Sequence, residues 1–146
     1  MTEPASPRDV FERLLDGITG RRWGELAELY AEDAVVEMPF AAPAHKIEGR
    51  AAVREHFLAA AGGPLELVAR NIVVHETADP EVIVAEFDYR GRVTTTGASF
   101  EVANVQVLRV RDGRIVASRD YHDHAALAAA LAGTALAVNL TSTSDP

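Results

Sequence analysis

The sequence predicts one α+β domain: a cone-shaped, strongly curved, mixed or antiparallel sheet packed on three N-terminal helices. Three observations support this fold class. Apolar residues recur mostly at helical spacing in residues 7–61, apolar and polar residues alternate through residues 65–124, and an Asp-Gly pair joins the last two strands. Helices grouped early and a meander grouped late are typical of α+β folds. Such a sheet, closed by helices, encloses a cavity of the kind that small molecules occupy.

Three helices are predicted in the first part of the chain. The first begins at Ser6-Pro7, because serine caps helix N-termini and proline favours the first helical position, and it ends at Gly20. The second covers about residues 22–30. The third covers residues 50–61 and ends at a Gly-Gly-Pro sequence. We expect these helices to cover one face of the sheet.

A short strand and a loop are predicted between the second and third helices. The strand covers residues 34–40, and Pro39 places its end at an edge or exit because proline has no N–H to donate to a neighbouring strand. Residues 41–49 are predicted to form a loop that carries His45 near the mouth of the cavity.

Four antiparallel strands are predicted to follow. They cover residues 65–76, 81–90, 99–111 and 114–124. The two-residue Asp-Gly connection between the last two is a strong hairpin signal. A short helix at residues 125–132 completes a single domain, residues 1–133, and residues 134–146 are predicted to be a flexible tail.

The composition is that of an acidic globular domain. The 146 residues are 48% hydrophobic and 25% charged, and 14 Lys/Arg against 22 Asp/Glu give a net charge of −8. This favours a core large enough for an internal pocket and disfavours nucleic acid and anionic membranes as partners. The absence of cysteine excludes disulfides and thiolate metal sites. Because no signal-peptide pattern or long apolar run is present, we expect a cytoplasmic location.

The end of the last predicted strand carries the densest group of ionisable side chains. Side chains two positions apart in a strand share a face, so Ser118, Asp120 and His122 point one way, opposite to Arg119 and Tyr121. A carboxylate beside an imidazole inside the fold is suited to proton transfer, because histidine titrates near neutrality and the carboxylate can orient it. We predict catalytic roles for Asp120 and His122; the alternative is a polar rim of the core.

Two amides and two aromatic side chains are predicted to face the same cavity. Asn104 and Gln106 share a strand face with apolar residues. An unpaired buried amide costs about 1–3 kcal/mol, so these amides either contact a ligand or pair with each other or the backbone. Phe87 and Tyr89 are predicted to point inward as cavity walls, and the Tyr89 hydroxyl could donate a hydrogen bond to a carbonyl.

The remaining histidines do not predict a metal site. His56 and His75 are interpreted as surface residues. His122, Asp123 and His124 are adjacent, but Asp123 points away from His122, and the two histidines share a face only if the strand continues beyond His122. No metal is therefore expected.

Three separated segments resemble one superfamily. They are residues 30–39 (YAEDAVVEMP), residues 47–57 (IEGRAAVREHF) and residues 107–115 (VLRVRDGRI). Over about residues 7–132 the chain resembles the nuclear transport factor 2-like superfamily, and within it the SnoaL-like polyketide cyclases, the ketosteroid isomerases and small proteins of phenazine biosynthesis. The resemblance implies a cone-shaped fold and a homodimer through the open sheet face, where the outward residues Ala103, Val105 and Val107 are suitable.

The resemblance to ketosteroid isomerases is incomplete at their functional residues. Their Glu-Asp-Pro sequence corresponds to residues 37–39, so Met38, which cannot accept a proton, replaces the proton-shuttling aspartate. Their oxyanion tyrosine falls near residues 13–14 and is missing. Their second donor, a protonated acid, falls near Gln106, whose amide could still donate a hydrogen bond. The Asp-Arg-Asp set of limonene-type epoxide hydrolases is not recognisable either.

The SnoaL-like cyclases are similar in carrying an acid near the end of the final strand, a role that Asp120 fills. The chemistry that this resemblance implies removes an acidic C–H proton and closes a ring by aldol addition. It needs a base, a donor to the developing enolate and an apolar cavity, but no metal.

The sequence thus predicts a cofactor-free acid/base enzyme of the cyclase, isomerase or dehydratase type, acting on an apolar oxygenated small molecule in secondary metabolism. The alternative is a non-catalytic module of the same fold that binds a small molecule or a partner. The predicted catalytic residues are Asp120 and His122. The predicted substrate-binding residues are Met38, Phe40, His45, Phe57, Phe87, Tyr89, Phe100, Asn104, Gln106 and Ser118.

Overall fold

The computed structural model describes residues 3–132 of the chain. Its elements in chain order are α1 (Pro7–Thr19), a 3₁₀ helix (Trp23–Leu29), β1 (Tyr30–Met38), β2 (His45–Glu48), α2 (Arg50–Ala61), β3 (Leu65–Glu76), β4 (Val82–Val93), β5 (Ser99–Arg111), β6 (Arg114–His122) and α3 (His124–Ala130). The predicted tail at residues 134–146 lies outside the described residues.

Within the described residues, six strands form one open, mixed sheet in the order β2-β1-β6-β5-β4-β3. All neighbours pair antiparallel except β1 and β6, which are parallel. The predicted α+β fold is confirmed. The late strands form the predicted meander, and β1 joins the helical part of the chain to it.

The start and burial of α1 follow from its sequence. The Ser6 hydroxyl accepts a hydrogen bond from the Asp9 backbone N–H at 3.1 Å, which satisfies one of the free donors of the first turn. The apolar face, which includes Phe11, is buried against the sheet. Gly17 lies so close to Leu26 that a Cβ would overlap the leucine side chain, so this glycine lets the 3₁₀ helix pack against α1.

The meander has the predicted alternation. Ile83, Ala85 and Phe87 on β4 are buried, and they alternate with more exposed neighbours. The β5–β6 turn places Asp112 at φ 52° and Gly113 at φ 78°, the left-handed conformations that a two-residue hairpin of this kind requires.

The predicted second helix, at about residues 22–30, is a 3₁₀ helix at Trp23–Leu29. The predicted bounds of the next two segments were wrong. β1 then begins at Tyr30 rather than residue 34 and ends before Pro39. The loop predicted at residues 41–49 contains β2, which pairs with the second half of β1. Backbone pairing with neighbouring strands, rather than the local sequence preference of each segment, determines where these elements begin and end.

The later boundaries differ less. β4 extends to Val93, three residues beyond its predicted end, and β6 ends at His122 rather than residue 124. Asp123 caps α3 by accepting a hydrogen bond from the Ala126 backbone N–H at 3.0 Å, so the chain turns into a helix immediately after the strand. No described helix combines the length and apolarity needed to cross a bilayer. The cytoplasmic location stays a prediction.

Candidate functional site

A cavity of about 290 Å³ lies between the inner face of the sheet and the helices. Most of its lining is aliphatic or aromatic. Helix α2 contributes the short side chains of Ala59 and Ala60, and α3 contributes Leu127. Gly91 has a role in shaping the wall, because a Cβ there would overlap the ring of its cross-strand neighbour Phe100. Its position between sheet and helices, its mainly apolar lining and its few convergent polar groups make this cavity the candidate site.

The only carboxylate among the described residues that line the cavity belongs to Asp120, and no lysine or arginine lines it. The position follows from register, because Asp120 on β6 lies directly opposite Gln106 on β5. The Ser118 hydroxyl donates to Asp120 Oδ1 at 2.6 Å. Gln106 Nε2 donates to the same oxygen at 3.0 Å and to Ser118 Oγ at 3.2 Å. One carboxylate oxygen is thus held by two donors.

The second oxygen of Asp120 faces His122. Nε2 of that imidazole lies 3.9 Å from Asp120 Oδ2, which is longer than a hydrogen bond. Burial lowers the pKa of His122, an effect that the neighbouring Asp120 charge opposes and the nearby His124 reinforces. His122 is therefore neutral at pH 7, and its Nδ1 is buried without a hydrogen-bond partner in the described structure.

Two tyrosines lie within electrostatic reach of the carboxylate. Burial raises the pKa of Tyr30 well above its ordinary value, and the charges of Asp120 and Tyr89 raise it further. Burial, and then the charge of Asp120, also raises the pKa of Tyr89. Both phenols line the cavity. They stay protonated at physiological pH and are available as hydrogen-bond donors.

Asn104 is held by the backbone. Its amide nitrogen donates to the Val102 carbonyl at 3.0 Å and to the Phe87 carbonyl at 3.3 Å. Its Oδ1 is buried without a partner in the described structure. The amide nitrogen thus has the predicted backbone partners, whereas a ligand contact through the amide oxygen stays a prediction.

Two histidines from helices border the same cavity. His56 on α2 and His124 at the start of α3 both line it. The ring centroids of His122 and His124 are 5.7 Å apart. Desolvation lowers the pKa of His56 and of His124, and it outweighs the attraction of Asp120 for the charged forms. At pH 7 both imidazoles are therefore neutral.

Most of the predicted site residues meet at this cavity. It is lined by Met38, Phe57, Phe87, Tyr89, Phe100, Asn104, Gln106, Asp120 and His122. Ser118 lies behind that lining, only 1% exposed, and reaches the site through its hydrogen bond to Asp120.

Phe40 and His45 do not line the cavity. Phe40 is 68% exposed and packs edge-on against Tyr121, 5.2 Å away, because it follows the end of β1 and lies beyond the inward-facing alternation. His45 begins the exposed strand β2 and lies 3.2 Å from the Pro43 carbonyl through Nδ1. Both border a separate recess next to the cavity. The predicted contact of these two side chains with a substrate stays a prediction.

Among the aromatic and imidazole side chains of the lining, sequence reasoning missed four: Trp23, Tyr30, His56 and His124. Asp123 followed by alanines and leucines is a readable helix start, and it would have placed His124 on a helix facing back toward the strand. His56 was interpreted as a surface residue. It is exposed, as predicted, but it also lines the cavity. Within residues 3–132, no group of three or more histidines and acids is arranged to hold a metal ion.

The sequence profile of the SnoaL-like domain family matches residues 11–118. The chain therefore belongs to the SnoaL-like family, and the predicted nuclear transport factor 2-like fold is confirmed. An uncharacterised PhzA/B-like protein of Pseudomonas aeruginosa is 34% identical over 113 residues, which are 75% of this chain and 76% of that protein.

Two solved structures extend this comparison. A Bacillus subtilis protein provisionally described as an isomerase has a TM-score of 0.79 at 28% identity, covering 88% of this chain and 94% of that one. A Pseudomonas putida protein provisionally described as a polyketide cyclase has a TM-score of 0.71 at 14% identity, covering 84% of this chain and 96% of that one. The second likeness shows the fold alone. The scaffold is thus of the cyclase and isomerase type.

Proposed function

We propose that this protein is a cofactor-free acid/base enzyme of the cyclase or isomerase type, with Asp120 as its base. One observation carries the proposal. The Asp120 carboxylate has one oxygen fixed by Ser118 and Gln106, while its other oxygen has no hydrogen bond in the described structure and belongs to the wall of a largely apolar cavity. A buried base held in one orientation is suited to abstracting a proton from carbon.

The proposed first step forms an enolate. Asp120 Oδ2 takes a proton from the carbon next to a substrate carbonyl, the C–H electron pair forms a C=C bond, and the carbonyl electrons move to oxygen. The hydroxyls of Tyr30 and Tyr89 are the donors available to that oxygen, since burial keeps them protonated. His122, neutral beside Asp120, can hold or return the proton.

The second step decides the reaction type. If the enolate carbon attacks a second carbonyl, a ring closes and the new alkoxide takes the proton from Asp120. If the proton returns to a different carbon, the product is an isomer. If a β-hydroxyl leaves, it takes the proton as water. The provisional description of the Bacillus subtilis protein as an isomerase supports the second outcome. Since this fold hosts many chemistries, the position of Asp120 supports the proposal more than the likeness does.

The test measures carbon-acid chemistry directly. Cyclic ketones are incubated with the protein in D₂O, and deuterium entering the carbon next to the carbonyl is followed by NMR. We expect the Asp120→Asn variant to lose exchange activity by about 10²-fold or more, because the amide is not a base. Its melting temperature is expected to change little, since Asn keeps an oxygen that can accept from Ser118.

The matched control is Asp123→Asn. Asp123 is exposed, caps α3 and does not line the cavity, and Asn is an equally good cap. This variant is expected to retain exchange activity. Full activity in Asp120→Asn would refute the assignment, and a fall in stability without a specific loss of exchange would leave Asp120 a structural residue only.

The second candidate is a non-catalytic binding module, which the mainly apolar lining also fits. A ligand that copurifies with the protein and is returned chemically unchanged after long incubation would favour it over the enzyme.

We also propose that the protein is a homodimer through the outer face of β5 and its neighbours. A row across this face joins Val73, Glu86, Val105 and Tyr121 by direct cross-strand register, and Val73 is 48% exposed. Sedimentation is expected to give twice the 15.7 kDa chain mass. Val105→Lys is expected to give the monomer, because a buried unpaired charge is costly. Thr95→Lys, in an exposed turn, is the control and is expected to stay dimeric; a monomeric wild-type protein would refute the proposal.

A further inference from the structure

In the described residues, the cavity wall carries a carboxylate without a cationic partner. Among its described lining residues there is one carboxylate, Asp120, and no lysine or arginine. Lys46 borders the separate recess instead. Arg50 is engaged at 2.8 Å by the Tyr30 backbone carbonyl and does not line the cavity. No cationic side chain of the lining therefore balances Asp120.

The other ionisable groups of the wall are uncharged at neutral pH. Burial lowers the pKa of His56, His122 and His124 and raises the pKa of Tyr30 and Tyr89. The three imidazoles are thus neutral bases and the two phenols neutral acids. The lining contributes a single negative charge, and Oδ2 is the oxygen of Asp120 that has no hydrogen bond.

We propose that Asp120 also determines specificity by charge, so that the cavity accepts uncharged ligands and rejects carboxylates of the same shape. This inference rests on the cavity being the binding site of the proposed function. It names the substrate class more closely: a neutral carbonyl compound, such as a ketone or an ester, rather than a free acid. In a biosynthetic pathway, a step whose substrate or product is a free carboxylate is therefore expected to be catalysed by another enzyme.

The size of the effect follows from electrostatics. Two unit negative charges about 5 Å apart at an effective dielectric constant near 20 repel strongly enough to weaken binding on the order of 10²-fold. The neutral imidazoles do not offset this repulsion. A neutral ligand avoids it and can donate a hydrogen bond to Oδ2 or accept one from either phenol.

The protein contains its own reporter of binding. Trp23 is the only tryptophan in the sequence, it lines the cavity, and its ring stacks on Phe57 with centroids 6.4 Å apart. A ligand that enters the cavity changes the surroundings of this indole. Its fluorescence therefore measures occupancy without requiring any turnover.

The experiment titrates the full chain at pH 7.5 with three probes that share one apolar cage and do not absorb where tryptophan does. They are 1-adamantanemethanol, 1-adamantanecarboxylate and 1-adamantanemethylamine. We expect the alcohol to bind on the order of 10²-fold more tightly than the carboxylate. The amine is expected to bind at least as tightly as the alcohol, since its charge is opposite to that of Asp120.

Two variants distinguish the effect of the Asp120 charge on binding from the effect of the protein's overall negative charge. Asp120→Asn is expected to bring the alcohol and the carboxylate to within about threefold of each other, because the local repulsion is removed. Glu12→Gln removes the same charge from the exposed surface of α1 and is expected to keep the full difference. Isothermal titration calorimetry of the same pairs confirms that the fluorescence change reports binding.

Three results would overturn the inference. They are a carboxylate that binds the wild-type protein as tightly as the alcohol, a discrimination that persists in Asp120→Asn, and an alcohol that does not bind at all. None of these depends on catalysis, so the inference and the proposed function can fail separately. A protein that discriminates by charge but exchanges no carbon-bound hydrogen would keep the specificity role and lose the enzymatic one.

Discussion

The two halves of the protein interior are built on the same strands but differ in packing. On β5, Leu108 and Val110 belong to the packed core, whereas Asn104 and Gln106 on the same face line the cavity. On β6 the sequence likewise passes from Ile115, fully buried in the core, to Asp120 at the cavity. All six side chains point inward; those on β5 follow one alternation, whereas on β6 a register irregularity between Ile115 and Ala117 shifts it. The inward direction of the strand side chains is thus the same in both halves, and the helices that cover the sheet determine which half is filled.

The covering helices differ in the size of the side chains that they contribute. Over the packed half, α1 inserts large side chains, among them Phe11, whose ring centroid lies 5.5 Å from that of Phe87. Over the cavity, α2 presents Ala59 and Ala60 together with the larger His56 and Phe57, and α3 is mostly alanine. Short side chains cannot reach across the gap, so space is left beside Asp120. The cavity therefore results from the short side chains on the covering helices as much as from the polar side chains on the strands.

The largest effect that tests this comparison comes from enlarging one alanine in each half. Ala85, fully buried on β4 in the core, has no room for a larger side chain, and Ala85→Leu is expected to lower the free energy of unfolding by about 1–3 kcal/mol. Ala60 faces the cavity, and Ala60→Leu is expected to leave stability unchanged or raise it by up to about 1 kcal/mol. Urea denaturation measures both values.

Ligand binding gives the complementary readout for the same pair. Ala60→Leu occupies space in the cavity, so it is expected to weaken the Trp23 response to 1-adamantanemethanol even though the protein is at least as stable. Equal destabilisation by the two substitutions would show that the space beside Ala60 is not available, and the contrast between the two halves would be wrong.

The sequence predicted the strand side of the site because alternation is a local property. Alternation along residues 99–111 places Asn104 and Gln106 on one strand face. It does not by itself place Asp120 opposite Gln106, because the two-residue Asp-Gly turn alone would pair Gln106 with Arg119. A register shift between Arg109 and Val110 brings Asp120 into that position. The catalytic role of Asp120 and His122 stays a prediction, since geometry gives position and not activity.

The helix side of the site was not predictable from local pattern. β2 forms only because residues 45–48 pair with β1, and its four residues carry no alternation of their own. Tyr30 faces inward at the start of β1, before a register irregularity between residues 30 and 35 that breaks the alternation of this strand. His56 lies on a helix with a weak apolar face, so its approach to the cavity depends on how α2 is placed by tertiary packing.

The smallest expected effect is a change of stability with pH, which arises because the two halves bury different chemical groups. The packed half buries hydrocarbon, whereas the cavity half buries imidazoles that are neutral in the folded protein. Burial lowers the pKa of His122 below its ordinary value of 6.5. As the pH falls from 7 towards 5, the unfolded chain therefore binds a proton at this residue more readily than the folded chain does. The contribution of His122 to stability is present above pH 6.5 and is lost as the pH falls through the folded-state pKa.

This sign gives a measurable difference. The free energy of unfolding of the wild-type protein is expected to decrease between pH 7 and pH 5 by more than that of His122→Gln, which has no titrating group at this position. Urea denaturation at several pH values gives the two slopes, and NMR titration of the His122 ring gives its folded-state midpoint directly. A midpoint above 6.5 would reverse the predicted sign. It would mean that attraction by Asp120, 3.9 Å from Nε2, outweighs burial, and His122 would then enter the proposed reaction as a cation rather than as a neutral base.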